Sequence, residues 1–93
     1  MEATEALEYR KVSDFSRALS HPTRVEIVAE LLKSEKCVGD IKDLAKLRQP
    51  NVSQHLSLLR LSGIVDCRNV GKRKCYFLKN PRMIKVILKA LKG

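Results

Sequence analysis

Asn51, Ser53, Gln54 and His55 stand together in the run "RQPNVSQHLSLLRLSGIV" of residues 48 to 65, which has Pro50 near its start and Gly63 near its end. Amide, hydroxyl and imidazole groups both donate and accept hydrogen bonds, and these side chains are short. The chemistry open to them is non-covalent: pairing with a surface that presents a fixed pattern of donors and acceptors. Covalent chemistry finds little support. His21 and His55 have no evident nucleophile partner, the acidic residues form no recognisable pair, and neither a phosphate-cradling glycine loop nor a metal-ligand set is present. No catalytic residue, metal or cofactor is therefore expected, and the chain does not read as an enzyme.

The second reactive set is Cys37, Cys67 and Cys75. An odd number without Cys-x-x-Cys spacing argues against a disulfide framework and a zinc ribbon, so reduced thiols are the expected state. Cys37 follows Lys36 close to a helix start, where charge and dipole both favour a thiolate. Cys67 and Cys75 fall on opposite strands of a hairpin. A three-residue turn would pair them directly, and a two-residue turn would set Cys67 against Tyr76 instead. All three are candidates for redox sensing, because a cytoplasmic cross-strand disulfide would be transient.

The elements that must position these residues are punctuated by proline. Pro22, Pro50 and Pro81 each stand where a helix would begin, the position at which a missing N–H costs nothing. After Pro22, with Ser20 or His21 as cap, Val25, Ile27, Val28, Leu31 and Leu32 make a helical stripe to about Lys33. Ala3 to Leu19 carries a less regular helical pattern, and Val38, Ile41, Leu44 and Ala45 mark a short helix ending near Leu47. In the quoted run, Val52, Leu56 and Leu59 fall within about 60° of one another and point away from Asn51, Ser53, Gln54 and Ser57. One face is core and the other polar. His55 lies at one end of the apolar arc, where it can cap the packing or reach outward. Leu58 and Leu61 break the arc and are expected to pack on the following strands or another subunit.

From Ile64 the period changes to that of strands. Val65 to Val70 and Arg73 to Leu78 flank Gly71 as a hairpin with the basic tip "NVGKRK". In "PRMIKVILKALKG" a final helix places Met83, Ile84, Ile87, Leu88 and Leu91 on one broad side, more apolar surface than a small domain needs for itself. The expected class is mainly α with a small β-hairpin, a winged helix-turn-helix of five helices with the hairpin between the fourth and fifth. Residues 1–93 form one domain, since a chain of this size buries only about 60 to 65% of its unfolded surface and a second copy would help cover the rest.

Charge supplies the partner. The net charge of +9 is the sum of 8 Lys/Arg against 9 Asp/Glu in residues 1–47 and 11 against 1 in residues 48–93, or −1 and +10. A one-sided field of this size favours a polyanion. Without a long apolar run or a basic helix with aromatic anchors, double-stranded DNA is expected rather than a membrane. Asn and Gln suit adenine, Ser several bases, and His or Arg guanine in the major groove, while a helix N-terminus presents N–H groups to phosphate. The acidic N-terminus, "MEATEALEYRK", resembles neither a signal nor a transit peptide, which leads to a cytoplasmic expectation.

"RALSHPTRVEIVAELL", "EKCVGDI", "QPNVSQHLSLLRLSGIV" and "NVGKRKCYFL" resemble, in matching order and spacing from about Phe15 to Leu78, the ArsR/SmtB family of small bacterial and archaeal repressors. The resemblance covers roughly two-thirds of the chain. It implies a winged-helix homodimer joined through its first and last helices, which binds a palindromic operator until a signal releases it. It also implies base contacts at Gln49, Asn51, Ser53, Gln54 and His55, with Arg48 and Asn51 departing from the commoner Ser and Thr. From the hairpin, Arg68, Lys72, Arg73 and Lys74 are expected at the minor groove or its phosphates. The family's metal element, Cys-x-Cys, is matched by Cys37-Val38-Gly39-Asp40, with glycine in place of the second thiolate. Its other site needs Asp and His on the last helix, and residues 81–93 contain neither. Metal responsiveness is therefore not expected. The rival expectation is an architectural or protein-interaction module that binds DNA without sequence preference.

Overall fold

Pro22 and Pro81 each open a helix in the computed structural model, which describes residues 3–43 and 51–92. The element order is α1 (Ala3–Ala18), α2 (Pro22–Lys33), β1 (Lys36–Cys37), α3 (Val38–Asp43), α4 (Val52–Leu61), β2 (Val65–Val70), β3 (Arg73–Leu78) and α5 (Pro81–Lys92). The mainly α class and the hairpin limits agree with the expectation. The strand β1 was not foreseen, because two residues carry no periodicity. Pro50, and the expected course of α3 as far as Leu47, lie outside the described residues.

Local chemistry accounts for the helix ends. His21 caps α2, its Nδ1 accepting from the Thr23 backbone N–H at 3.1 Å. Asn80 does the same for α5 through Oδ1 and the Met83 N–H. At the end of α4, Gly63 adopts φ 77°, and the N–H groups of Gly63 and Ile64 donate to the carbonyls of Arg60 and Leu59. This 6→1 and 5→2 pair satisfies the last carbonyls and turns the chain sharply into the sheet. Gly71 has φ 63° as the first of two loop residues, which suits the twist of the β2–β3 hairpin.

The sheet has the antiparallel order β1-β3-β2. Its inner face supplies Val65, Tyr76 and Leu78 to a core completed by Ile27, Val28 and Leu31 of α2, Ile41 of α3, Val52, Leu56 and Leu59 of α4, and Ile84 of α5. The buried apolar residues of α4 fall at positions i, i+4 and i+7 from Val52, so one stripe clamps the helix to the body. Packed this way, α4 keeps its other side at the surface. Leu58 and Leu61 line shallow surface grooves beside Asp14 and Arg17 of α1, and Leu61 is 86% exposed.

Candidate nucleic-acid interface

The side of α4 turned from the core presents Ser53, Gln54 and Ser57, all exposed, with Asn51 exposed just ahead. Asn51 occupies the cap position, yet its side chain makes no capping hydrogen bond, which leaves its amide directed to other partners. Ser53 and Gln54 carry donors and acceptors in the first turn of a helix fixed from behind by Val52 and Leu56, both fully buried. Arg48 and Gln49 lie outside the described residues.

His55 does not join this exposed front: it lies at the edge of the buried side of α4. It is 8% exposed, its ring packs 4.6 Å from that of His21, and its Nδ1 lies 3.3 Å from Nη1 of Arg24. Guanidinium nitrogens only donate, so Nδ1 accepts and the ring proton resides on Nε2. Burial first, then the neighbouring His21 and Arg24, hold His55 below the ordinary histidine value. The neutral ring is therefore a structural bracket behind the first turn of α4. Its position at the rim of the apolar arc allowed for packing, and His21 and Arg24 supply the neighbours it packs against.

Arg24 is the residue that sequence reasoning missed. Its Nε donates to the Ala18 carbonyl at 2.6 Å and its Nη2 to that of Arg17 at 3.3 Å, so one guanidinium joins the end of α1 to α2 and, through His55, to α4. An arginine directly after "HPT", in the first turn of α2, was the available signal, but nothing local distinguishes it from a solvated charge.

The hairpin divides its cations into two groups. Arg68 forms a fork with Glu35, Nη2 to Oε1 at 2.9 Å and Nε to Oε2 at 3.1 Å, and Arg73 pairs with Asp40 at 3.1 Å. Both arginines are thus tied to the junction of α2 and α3. Lys72 and Lys74 are exposed near the tip with no ion pair among the described residues. Arg60, at the end of α4, pairs with Asp66 at 3.4 Å.

The two-residue turn sets Cys67 opposite Tyr76 and Arg68 opposite Cys75. Since successive residues of a strand alternate faces, Cys67 and Cys75 point to opposite sides of the hairpin, and the direct pairing that a three-residue turn would have produced does not occur. Cys75 instead faces Cys37 across β1 and β3, and the two are joined by a disulfide, which corrects the expectation of reduced thiols throughout. Cys67 is free and half-buried. Lys36, expected to favour a Cys37 thiolate, directs its ammonium to the Glu30 and Ser34 carbonyls, while the Asp40 carboxylate accepts from the Cys37 N–H. Among the described residues no group of three or more His, Cys, Asp or Glu is placed to hold a metal ion.

A short helix, a second helix with a polar open front and a cationic hairpin beside it define a winged helix-turn-helix, the class of DNA-binding transcriptional regulators. Residues 21–66 match the model of the arsR family of bacterial regulatory proteins. The chain is 36% identical over 75 residues to the transcriptional repressor SmtB of Mycobacterium tuberculosis, an alignment that takes in 81% of this chain and 56% of the relative. It therefore spans little more than half the length of that curated relative. It superposes on the transcriptional repressor BigR from Xylella fastidiosa with a TM-score of 0.74 at 32% identity, covering 95% of this chain and 92% of the other. A homodimeric winged helix-turn-helix DNA-binding domain from Mycobacterium bovis shares the fold, with a TM-score of 0.88 at 21% identity over 99% of this chain and 88% of that one. The chain belongs to the ArsR family.

Proposed function

We propose that this protein is a homodimeric, sequence-specific repressor that lays α4 in the major groove of each half of a palindromic operator and releases it in response to a thiol-linked signal. One observation carries the reading: Asn51, Ser53, Gln54 and Ser57 are all exposed on the front of a helix whose back is locked into the core by Val52, Leu56 and Leu59. A rigid helix with short amide and hydroxyl side chains in its leading turns meets the geometric demand of base readout. Lys72 and Lys74 supply phosphate contacts on the flank, with Arg68 and Arg73 behind them.

The twofold partner is argued from α5. Its Met83, Val86 and Leu91 are left uncovered by the body of the protomer, with Val86 62% and Leu91 82% exposed, and Ile87 is only partly buried. Tyr9 and Val12 of α1 are exposed as well. Apolar faces on the two terminal helices suit a self-complementary interface. The SmtB and BigR relatives are named as transcriptional repressors, and the Mycobacterium bovis neighbour as a homodimer, which supports the same reading.

Selection of bound sequences from a random duplex pool tests the proposal. The expected product is an inverted repeat, bound with an affinity that falls steeply with salt as Lys and Arg displace counterions. Each mismatched base pair should cost about 1–3 kcal/mol. A specificity ratio near one across random duplexes would identify an architectural module instead.

A further inference from the structure

We infer that Cys37 and Cys75 form a reversible latch between the helix-turn-helix and the wing, and that closing it raises affinity for DNA. This rests on the reading of α4 and the hairpin as the DNA-facing elements. Cys37 ends β1 and directly precedes α3, the leading helix of the helix-turn-helix, whereas Cys75 lies in β3, three residues after Lys72 of the basic turn. Their disulfide closes a separation of 38 residues and joins two elements that must be correctly placed at the same time. Cys37 is half-buried and open to a small oxidant; Cys75 is 1% exposed and placed to resolve.

Without that bond the attachment is slight. β1 contributes only two residues to the ladder, Lys36 opposite Tyr76 and Cys37 opposite Cys75. The flanking pairs, Arg68 with Glu35 and Arg73 with Asp40, are more than half exposed on the arginine side, and exposed ion pairs contribute little. Reduction therefore leaves the wing held at its base by Val65, Tyr76 and Leu78 while its link to the junction of α2 and α3 loosens. A pre-set wing binds more tightly than one that must be ordered on contact. Arg68 and Arg73 are held on either side of the latch, so its closure also fixes the charges nearest it.

The chemistry balances with a peroxide as oxidant. The Cys37 thiolate attacks a peroxide oxygen, breaking the O–O bond to give a sulfenic acid and one water from hydrogen peroxide. The Cys75 thiol then attacks the Cys37 sulfur, forming the S–S bond and expelling the second water. Two thiols lose two electrons and two protons, and the peroxide takes up both. A dithiol reverses the step by exchange through a mixed disulfide.

The test compares the full chain equilibrated in dithiothreitol with the chain treated with hydrogen peroxide and then freed of it, each alkylated with iodoacetamide and mapped by peptide mass. Oxidised protein should label at Cys67 alone and yield a Cys37–Cys75 linked peptide. It should melt about 10–25 °C above the reduced form, as expected for closing a loop of this length in a small domain. It should bind the duplex recovered by selection at least about fivefold more tightly, the low end of ordinary coupling between sites. Cys37→Ser and Cys75→Ser should each abolish the difference, and Cys67→Ser should preserve it. A disulfide that includes Cys67, no disulfide under peroxide, or equal DNA affinity with the Cys37–Cys75 bond mapped intact would each overturn the latch. A chain that binds no duplex in either state would instead overturn the DNA reading, and mapping and melting would still judge the cross-link.

Discussion

Replacing Val86 and Leu91 together by glutamate should convert the protein from a dimer to a monomer. Fully burying an aliphatic side chain contributes about 1.5–3 kcal/mol. Val86, Leu91 and Met83 retain 62%, 82% and 38% of their exposure in the protomer. Scaled by those fractions, covering all three would contribute about 3–5 kcal/mol per protomer, and a twofold axis doubles it. Val86 and Leu91 hold most of this, about 4–8 kcal/mol per dimer, before the cost of placing four carboxylates in the interface. Even the lower figure raises the dimer dissociation constant about a thousandfold. Sedimentation equilibrium across a concentration series reads this directly. Ile84, which anchors α5 to the core at 2% exposure, is untouched, so the far-UV spectrum should remain that of the folded chain. Lys89→Glu, on the polar side of the same helix, is the matched control and should stay dimeric. The reasoning is refuted if the double variant sediments as the wild type does, because the exposed arc of α5 would then not be what holds the copies together.

Gln54→Ala should weaken binding to the selected duplex by about 1–3 kcal/mol and leave random duplex unchanged, as competition binding would show. Lys72→Ala with Lys74→Ala should instead weaken all duplexes alike and reduce the slope of log K against log salt by about 2, one unit for each phosphate no longer neutralised. His55 is held below the ordinary histidine value, so between its folded value and about 6.5 the unfolded chain binds more protons than the folded one. Stability should therefore fall as pH drops through that window and level off below it. His55→Gln should flatten this segment in denaturant titrations; an unchanged profile would locate the proton uptake elsewhere.

Much of the architecture was legible in sequence because its causes are local. Pro22 and Pro81 mark helix starts through their own backbone geometry, Gly63 and Gly71 mark turns through positive φ, and the hairpin limits follow from the change of hydrophobic period. The spacing of Val52, Leu56 and Leu59 was enough to identify the buried back of α4, and hence the side left open for Ser53 and Gln54. The site was less legible where one side chain depends on another far away. His55 and Arg24 are 31 positions apart, and Arg68 and Arg73 each reach a carboxylate 33 positions away. No periodicity reports such pairs.

The cysteines show where the division falls. Composition alone raised the question of thiol chemistry, and the alternation of a strand allowed one pairing for each turn length. Which turn formed, and that a two-residue strand from the other end of the helix-turn-helix would bring Cys37 opposite Cys75, depended on how α2, α3 and the hairpin pack together. Sequence by itself determined the elements, their buried stripes and the concentration of positive charge in the second half, because backbone preference and hydrophobic period act over a few residues. Only the tertiary structure decided which polar groups face solvent, which are bracketed inside and which thiols meet, because burial and pairing depend on neighbours contributed by distant segments.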